Sequence, residues 1–287
     1  MSADKHPDPV EAARVVAQAL IEDLGTAGDL TTAALVPVER RARGSFIARD
    51  DGVMAGAPMV DMVYRLLGTP IRWDWSAAEG ARFRRGDVLG SGSGPAHVML
   101  TGERVALNFL QRLSGVATHT RRFADEVAGT DVVLLDTRKT TPGLRCLERY
   151  AVRVGGGKNH RMGLYDRVLI KDNHLAVAGS PSQAVRVARR TWPSVPIEIE
   201  VRTLAEFRDA CTESPEWVLL DNMDLAGLRE CVRERDVCAP PRPRLEASGG
   251  VRLDTVRAVA LTGVDAVSIG ALTHGATWID IALEVEL

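Results

Sequence analysis

Cysteine is scarce in this chain: 287 residues hold 4. Cys146, Cys211, Cys231 and Cys238 form no C-x-x-C pair and show no histidine-paired zinc spacing, and Cys231 and Cys238 sit two helical turns apart in a charged segment. A disulfide framework and a structural zinc site are therefore not expected, and the thiols read as reduced structural or surface groups of a cytoplasmic protein. No apolar run approaches membrane-spanning length. The opening residues, Met1 to Pro9, are polar and carry no apolar signal core, which adds to the expectation of a cytoplasmic protein without a membrane partner. A formal net charge of −2 leaves no global basic footprint of the kind that nucleic-acid partners require. Low-complexity sequence is absent too, and Pro240-Pro241-Arg242-Pro243 is only a local loop. With 45% hydrophobic and 26% charged residues, the chain has the composition of a soluble enzyme and ample length to bury a core in one large domain or two ordinary ones. Whatever cations matter must be locally concentrated.

The pattern of apolar residues changes character along the chain. Val10 to Leu24 has helical spacing, with Val10, Ala13, Val16, Ala17, Leu20 and Ile21 on one face. Between Arg41 and Val98, short alternating runs with glycine turns, such as Arg43 to Arg49 and Asp87 to Ser91, read as antiparallel strands. A helix is expected from Thr101 to Leu113, with Thr101 as N-cap and Val105, Ala106, Phe109, Leu110 and Leu113 as its buried stripe. Beyond it, apolar strand, polar or glycine-bearing end and helix repeat. Strands are expected at Val132 to Asp136, Ala151 to Val154, Val168 to Lys171, Ile197 to Val201, Trp217 to Asp221, Arg244 to Ala247 and Ala266 to Ile269. Such near-continuous β-branched and leucine runs between helices indicate parallel strands covered on both faces, and about seven of them suggest an α/β barrel one strand short of the eightfold one. The fold class is thus α/β, with a first α/β domain over 1–113, a barrel domain over 114–272 and a tail, 273–287, that packs back on the first domain.

Three clusters stand at successive strand ends: Asp136-Thr137-Arg138-Lys139-Thr140-Thr141-Pro142-Gly143, Lys158-Asn159-His160-Arg161-Met162-Gly163, and Lys171-Asp172-Asn173-His174. Any one of these cations taken alone is a solvated surface charge. Together they suit a substrate with several negative charges, since arginine offers a planar fork matched to carboxylate and lysine a movable point charge suited to phosphate. With EIEV (198–201), LLDNM (219–223), EASGG (246–250) and GVDAVSIGALTH (263–274), and with Glu22-Asp23-Leu24-Gly25 and Gly28-Asp29-Leu30-Thr31-Thr32 near the start, these segments resemble quinolinate phosphoribosyltransferase, in order and over nearly the whole chain. Gly275 stands where that family leads one to expect a serine, which leaves one hydroxyl contact near a phosphate site in question.

The resemblance implies an open-faced α/β sandwich domain followed by an incomplete seven-stranded barrel. It implies the substrates quinolinate and phosphoribosyl pyrophosphate, with nicotinate mononucleotide, pyrophosphate and carbon dioxide as products, and a homodimer or higher oligomer whose active site a neighbouring subunit completes. Carried over residue by residue, Arg104, Arg138, Lys139, His160 and Arg161 would form the dicarboxylate pocket. Lys171 with Glu200, Asp221 and Mg2+ would face the pyrophosphate, Lys139, Lys171, Glu200 and Asp221 being the catalytic set. Ser248, Gly249, Gly250, Gly270 and His274 would receive the ribose 5-phosphate. The residue types agree with this. Two carboxylates are the hard oxygen ligands that magnesium takes, and period-two alternation puts Glu198 and Glu200 on one strand face, of which Glu200, nearer the C-terminal end, is favoured for the metal. Glycine-bearing ends after the last two strands look like the phosphate cup of barrels, although a lone Ser-Gly-Gly also reads as a plain turn. His160, beside Arg161, is expected to stay neutral; His174 reads as structural. Among the rivals, a molybdenum-transport-associated homologue would lack the second and third cluster forms, a Schiff-base aldolase using Lys171 would leave the acids and the glycine turns unused, and a non-catalytic regulator would have lost part of the set.

Overall fold

The computed structural model describes residues 6–69 and 71–287; most of the polar opening stretch, residues 1–5, lies outside them. In chain order the elements are α1 (Pro9–Leu24), α2 (Leu30–Leu35), β1 (Arg41–Ala48), β2 (Gly52–Val53), α3 (Ala57–Leu66), β3 (Arg72–Trp75), β4 (Arg82–Phe83), β5 (Val88–Pro95) and α4 (Ala96–Glu126). There follow β6 (Val133–Leu135), α5 (Arg145–Gly155), β7 (Val168–Ile170), α6 (Asp172–Ala178), α7 (Pro181–Thr191), β8 (Ile197–Val201), α8 (Leu204–Cys211) and β9 (Trp217–Asp221). The chain ends with α9 (Leu225–Val237), β10 (Arg244–Ser248), α10 (Val256–Ala260), β11 (Ala266–Ser268), α11 (Ala271–His274) and β12 (Ile281–Glu286). Two compact units contain them. The first comprises 1–121, 140–156 and 272–287, and the second 122–139 and 157–271. Residues 114–121 and 140–156 thus fall in the first unit, where the sequence pattern suggests the second domain.

In the first unit an antiparallel sheet has the order β12-β1-β5-β3, so the C-terminal strand pairs with the first strand of the chain, Arg43 opposite Glu286 and Ala48 opposite Ile281. Alternate glycines of β5 make room for cross-strand indoles. A Cβ at Gly90 would meet the Trp75 ring at 2.5 Å and one at Gly92 the Trp73 ring at 2.8 Å, and Trp73 in turn lies 4.7 Å from buried Phe46, ring centre to ring centre. α1 starts where Asp8 Oδ1 accepts the amides of Val10 and Glu11 at 2.9 and 3.0 Å with Pro9 in the first turn, satisfying donors that a helix start leaves open. Its buried stripe is Ala12, Val15, Val16 and Leu20, whereas Val10 and Ile21 are exposed; the expected face was rotated, since Val10 stands in the uncovered first turn.

Two further expectations are corrected. The helix expected from Thr101 is one 31-residue element that begins at Ala96, directly after Pro95, because Val98 and Met99 extend the same apolar stripe backwards. Thr101 is an interior residue whose hydroxyl donates to Asp29 at 3.2 Å. The strand expected at Ala151 to Val154 is part of α5, where Leu147, Tyr150, Ala151 and Val154 are all buried, a spacing that fits a helical face once the preceding turn is included. α5 is tied to the first unit through Glu148, fully buried, which receives Arg112 Nε and Nη2 at 3.0 and 2.6 Å and the Thr141 hydroxyl at 2.7 Å.

The second unit holds a parallel six-stranded sheet in the order β6-β11-β10-β9-β8-β7. The seventh strand is reduced to a single parallel bridge, Leu135 to Lys158, on the free side of β6, and only nine residues then separate Lys158 from β7, too few for a crossover helix. All five residues of β8 are buried, as expected of a parallel strand covered on both faces. The result is an incomplete barrel. Registers such as Ser248 beside Asp221 and Ser268 align the C-terminal ends at one rim, where loops from successive strands meet.

Candidate active site

Along that rim, the ends of β7, β8 and β9 supply an acid cluster. Glu200 is buried on β8, and its Oε2 accepts from Lys171 Nζ at 3.1 Å. Arg202, the residue just past β8, donates to Asp172 Oδ2 at 2.7 Å and through Nε to Asp221 Oδ2 at 3.2 Å, and its Nη2 lies 3.9 Å from Glu200 Oε1. Three carboxylates from three strand ends are therefore within reach of one guanidinium. Arg202 was not singled out from the sequence, and Asp172 was named only within its motif; the signal for both is their position at the end of a strand.

Two residues earlier on the same face of β8, Glu198 does something else. It is fully buried and accepts from His160 Nε2 at 3.0 Å and Arg167 Nη1 at 3.1 Å. Glu246 of β10, also fully buried, places Oε2 3.4 Å from the same His160 nitrogen. The other side of the imidazole is occupied as well, since Nδ1 accepts the Arg161 amide at 2.7 Å. Burial pulls the His160 pKa down, but bonding and charge from Glu198 and Glu246 outweigh it and raise it to about 9. The acids thus favour an imidazolium while the Arg161 amide opposes one, and in this geometry the backbone bond decides: Nε2 carries the proton and Nδ1 a lone pair. The sequence reading took the charge of Arg161 to keep this ring neutral; the groups that act on it are instead a backbone donor, which favours the neutral form, and two buried acids, which raise its pKa. Burial and the Glu198 charge raise the Glu246 pKa, whereas His160 and Arg167, against the effect of burial, lower that of Glu198, so Glu198 carries the negative charge. Ligand-type atoms of these three residues lie within 4.8 Å of one another, yet a metal on Nε2 calls for a donating Nδ1–H, and Nδ1 is an acceptor. The cluster is a strut. Asp136, fully buried, completes it by accepting the His160 amide at 2.8 Å and the Asn159 side-chain amide at 2.5 Å.

The strut fixes the segment carrying Arg161, which is itself buried and donates to the Arg167 carbonyl at 3.2 Å. Burial lowers the Arg161 pKa, and the charge of Arg138 lowers it further. Two guanidiniums close enough to repel favour an anion between them. Arg138 and Lys139 are exposed at the end of β6, with the Lys139 amide donating to Thr137 Oγ1 at 3.1 Å. After β10, Gly249 and Gly250 both take positive φ, 95° and 61°. A Cβ at Gly249 would meet Asn222 Oδ1 at 2.3 Å, and the Asn222 amide donates to the Ser248 carbonyl at 2.9 Å, so the turn is pinned to the end of β9 and only glycine fits. Gly270 follows β11 on the same rim. His174 Nδ1 accepts the Lys171 amide at 2.9 Å and has the structural role expected. Arg138, Lys139, His160, Arg161, Lys171, Glu200, Asp221, Ser248, Gly249, Gly250 and Gly270 all belong to the second unit. Arg104 and His274, both exposed, belong to the first.

An incomplete parallel barrel with an acid cluster, neighbouring cations and a glycine turn at one rim defines an α/β enzyme for phosphorylated, multiply anionic substrates. Residues 29–114 match the family model of the quinolinate phosphoribosyl transferase N-terminal domain and residues 116–284 that of its C-terminal domain. A Mycobacterium leprae nicotinate-nucleotide pyrophosphorylase [carboxylating] is 42% identical over 280 residues, which cover 96% of this chain and 98% of that protein. A probable nicotinate-nucleotide pyrophosphorylase [carboxylating] of Bacillus subtilis is 40% identical, covering 93% and 91%. Among solved structures, NadC from Streptococcus pyogenes superimposes with a TM-score of 0.93 at 34% identity, covering 98% of each chain. The chain belongs to the quinolinate phosphoribosyltransferase family.

Proposed function

We propose that the chain transfers the phosphoribosyl group of phosphoribosyl pyrophosphate to the ring nitrogen of quinolinate with decarboxylation, giving nicotinate mononucleotide, pyrophosphate and carbon dioxide in NAD biosynthesis. The observation that carries this reading is the division of labour along one rim. Buried or paired acids stand at the ends of β7 to β9, guanidiniums stand at the end of β6 and on the strutted segment, and a glycine turn follows β10. A dicarboxylate and a metal-bound pyrophosphate need separate places, and this rim offers both kinds.

Arg138, Lys139 and Arg161, with His160 beneath them, hold the two carboxylates and aim the ring nitrogen at the anomeric carbon. Displacement there passes through an oxocarbenium-like state, so orientation and neutralisation of the leaving group supply most of the rate. Glu200 and Asp221 hold Mg2+; three carboxylates that already share one guanidinium are a donor set suited to a hard cation. The ion, when bound, neutralises charge on the departing pyrophosphate. Lys171 meets the same oxygens, while Ser248 and the amides of Gly249, Gly250 and Gly270 receive the 5-phosphate. Once the ring nitrogen is positively charged, the carbon–carboxyl bond next to it breaks, its electron pair stays on the ring carbon, and a proton replaces carbon dioxide. We assign the protein to the cytoplasm as a homodimer in which Arg104 of one subunit serves the quinolinate pocket of the other. Conversion of isotope-labelled quinolinate and phosphoribosyl pyrophosphate to labelled nicotinate mononucleotide and carbon dioxide tests the reaction, and its absence with both substrates and magnesium supplied would overturn it.

A further inference from the structure

Arg202 has no part in the reading just given, yet it is central to the acid cluster. Its backbone is pinned, because its amide donates to Glu206 Oε2 at 2.7 Å beside the capping box in which Thr203 Oγ1 accepts the Glu206 amide at 3.2 Å. From this fixed start the side chain turns back over the rim and reaches Asp172, Asp221 and Glu200, at 2.7, 3.2 and 3.9 Å. The three acids belong to three successive strand ends, so their convergence on one cation is a property of the fold rather than of neighbouring residues in sequence. Lys171 adds a second positive charge 3.1 Å from Glu200. Three formal negative charges thus meet two positive ones supplied by the chain itself, and the field left to attract a bare dication is much reduced. A guanidinium also offers a planar fork well matched to phosphate oxygens, so the group that shields the acids has a better partner as soon as a pyrophosphate is present.

We infer that Arg202 is a built-in counter-ion of the metal acids, which holds them in the substrate-free protein and passes to the pyrophosphate when that group binds, so that divalent cation and pyrophosphate bind cooperatively. The inference rests on the proposed metal role of Glu200 and Asp221. Its consequence is an order of events: a divalent ion alone binds weakly, and the arriving pyrophosphate both brings charge to Arg202 and frees the carboxylates. By linkage, each ligand then strengthens the other by the same factor.

The test uses Mn2+ as a spin probe, titrated into the full-length, substrate-free protein and followed by the loss of the free-ion paramagnetic signal. Arg202→Gln removes the charge and keeps a polar side chain. Because the Arg202 side chain is 54% exposed and Arg202 joins the helix cap only through its backbone amide, the variant should fold, which a thermal melt verifies. Arg202→Gln is expected to bind Mn2+ on the order of ten-fold more tightly than the unaltered protein, with Arg202→Lys lying between, and to bind pyrophosphate without metal more weakly. Equal Mn2+ affinity of Arg202→Gln and the unaltered protein, whether both bind or neither does, overturns the inference. The doubly substituted Glu200→Gln, Asp221→Asn protein separates the two claims: if it loses Mn2+ while Arg202→Gln changes nothing, the metal reading stands and the counter-ion role falls, and if it retains Mn2+ unchanged, the metal reading itself falls.

Discussion

Glu198 and Glu200 lie two residues apart on the same face of one strand, and they should respond to deletion in opposite ways. Glu198 has no exposed surface and accepts two hydrogen bonds, from His160 Nε2 at 3.0 Å and Arg167 Nη1 at 3.1 Å. Glu198→Ala leaves the His160 N–H facing only the Glu246 carboxyl and strands a guanidinium whose side chain is 22% exposed. Breaking a buried pair from one side costs about 3–5 kcal/mol, and the partial exposure of Arg167 puts the expected loss at the lower end, about 3 kcal/mol. Glu198→Gln preserves volume and an acceptor oxygen and should lose about 1–2 kcal/mol. Glu200, by contrast, pairs with a Lys171 side chain that is 44% exposed, so Glu200→Ala should cost about 0–1 kcal/mol of stability. Urea unfolding followed by circular dichroism gives the stability order, and calorimetric titration of quinolinate gives the functional one. Glu198→Gln should weaken quinolinate binding, because the strut that fixes Arg161 is loosened, while leaving Mn2+ binding intact. If Glu198→Ala loses less than about 1 kcal/mol, or Glu200→Ala loses as much as Glu198→Ala, the division into strut and ligand is refuted.

The metal assignment predicts that Glu200→Ala and Asp221→Ala each lower turnover on the order of 10²-fold or more and blunt the magnesium dependence, as steady-state rates across a magnesium titration will show. Arg138→Lys should weaken quinolinate binding while leaving phosphoribosyl pyrophosphate binding nearly unchanged, since a lysine cannot reproduce the planar fork; calorimetry of each ligand separates this from a general loss. Arg104→Ala protein mixed with Lys139→Ala protein, each nearly inactive alone, should recover activity in hybrid dimers verified by tagged pull-down, and confirmed hybrids without activity would end the proposal that Arg104 acts on its neighbour's site.

What could be read from the sequence follows the range of the forces involved. Parallel strands such as Ile197–Val201 and Trp217–Asp221 were legible to the residue, the second from its nearly continuous apolar run and the first from β-branched residues at alternate positions. Ala151 to Val154 writes a similar run and is helix, since four residues cannot reveal whether the period is two or 3.6; the arbiter was Leu147 and Tyr150 one turn earlier. Thr101 misled in the same way. A cap residue was present, but Pro95 already supplies a helix start before Ala96.

The site shows the same limit at longer range. Its cations and glycines could be named from short motifs because each cluster is contiguous, and Gly249 has its reason in a single neighbour, Asn222, at the end of the adjacent strand. The acids could be named but not sorted. Alternation places Glu198 and Glu200 on one face and says nothing of depth, and depth is what separates them: one lies level with Glu246 and the His160 ring, the other at the rim beside Lys171 and Arg202. Their roles are set by partners 38 and 48 residues away in one case and 29 residues away in the other. A strand can therefore carry a structural anion and a ligand anion at consecutive inward positions, and which is which is decided by whether the nearest cation is buried with it or free to leave.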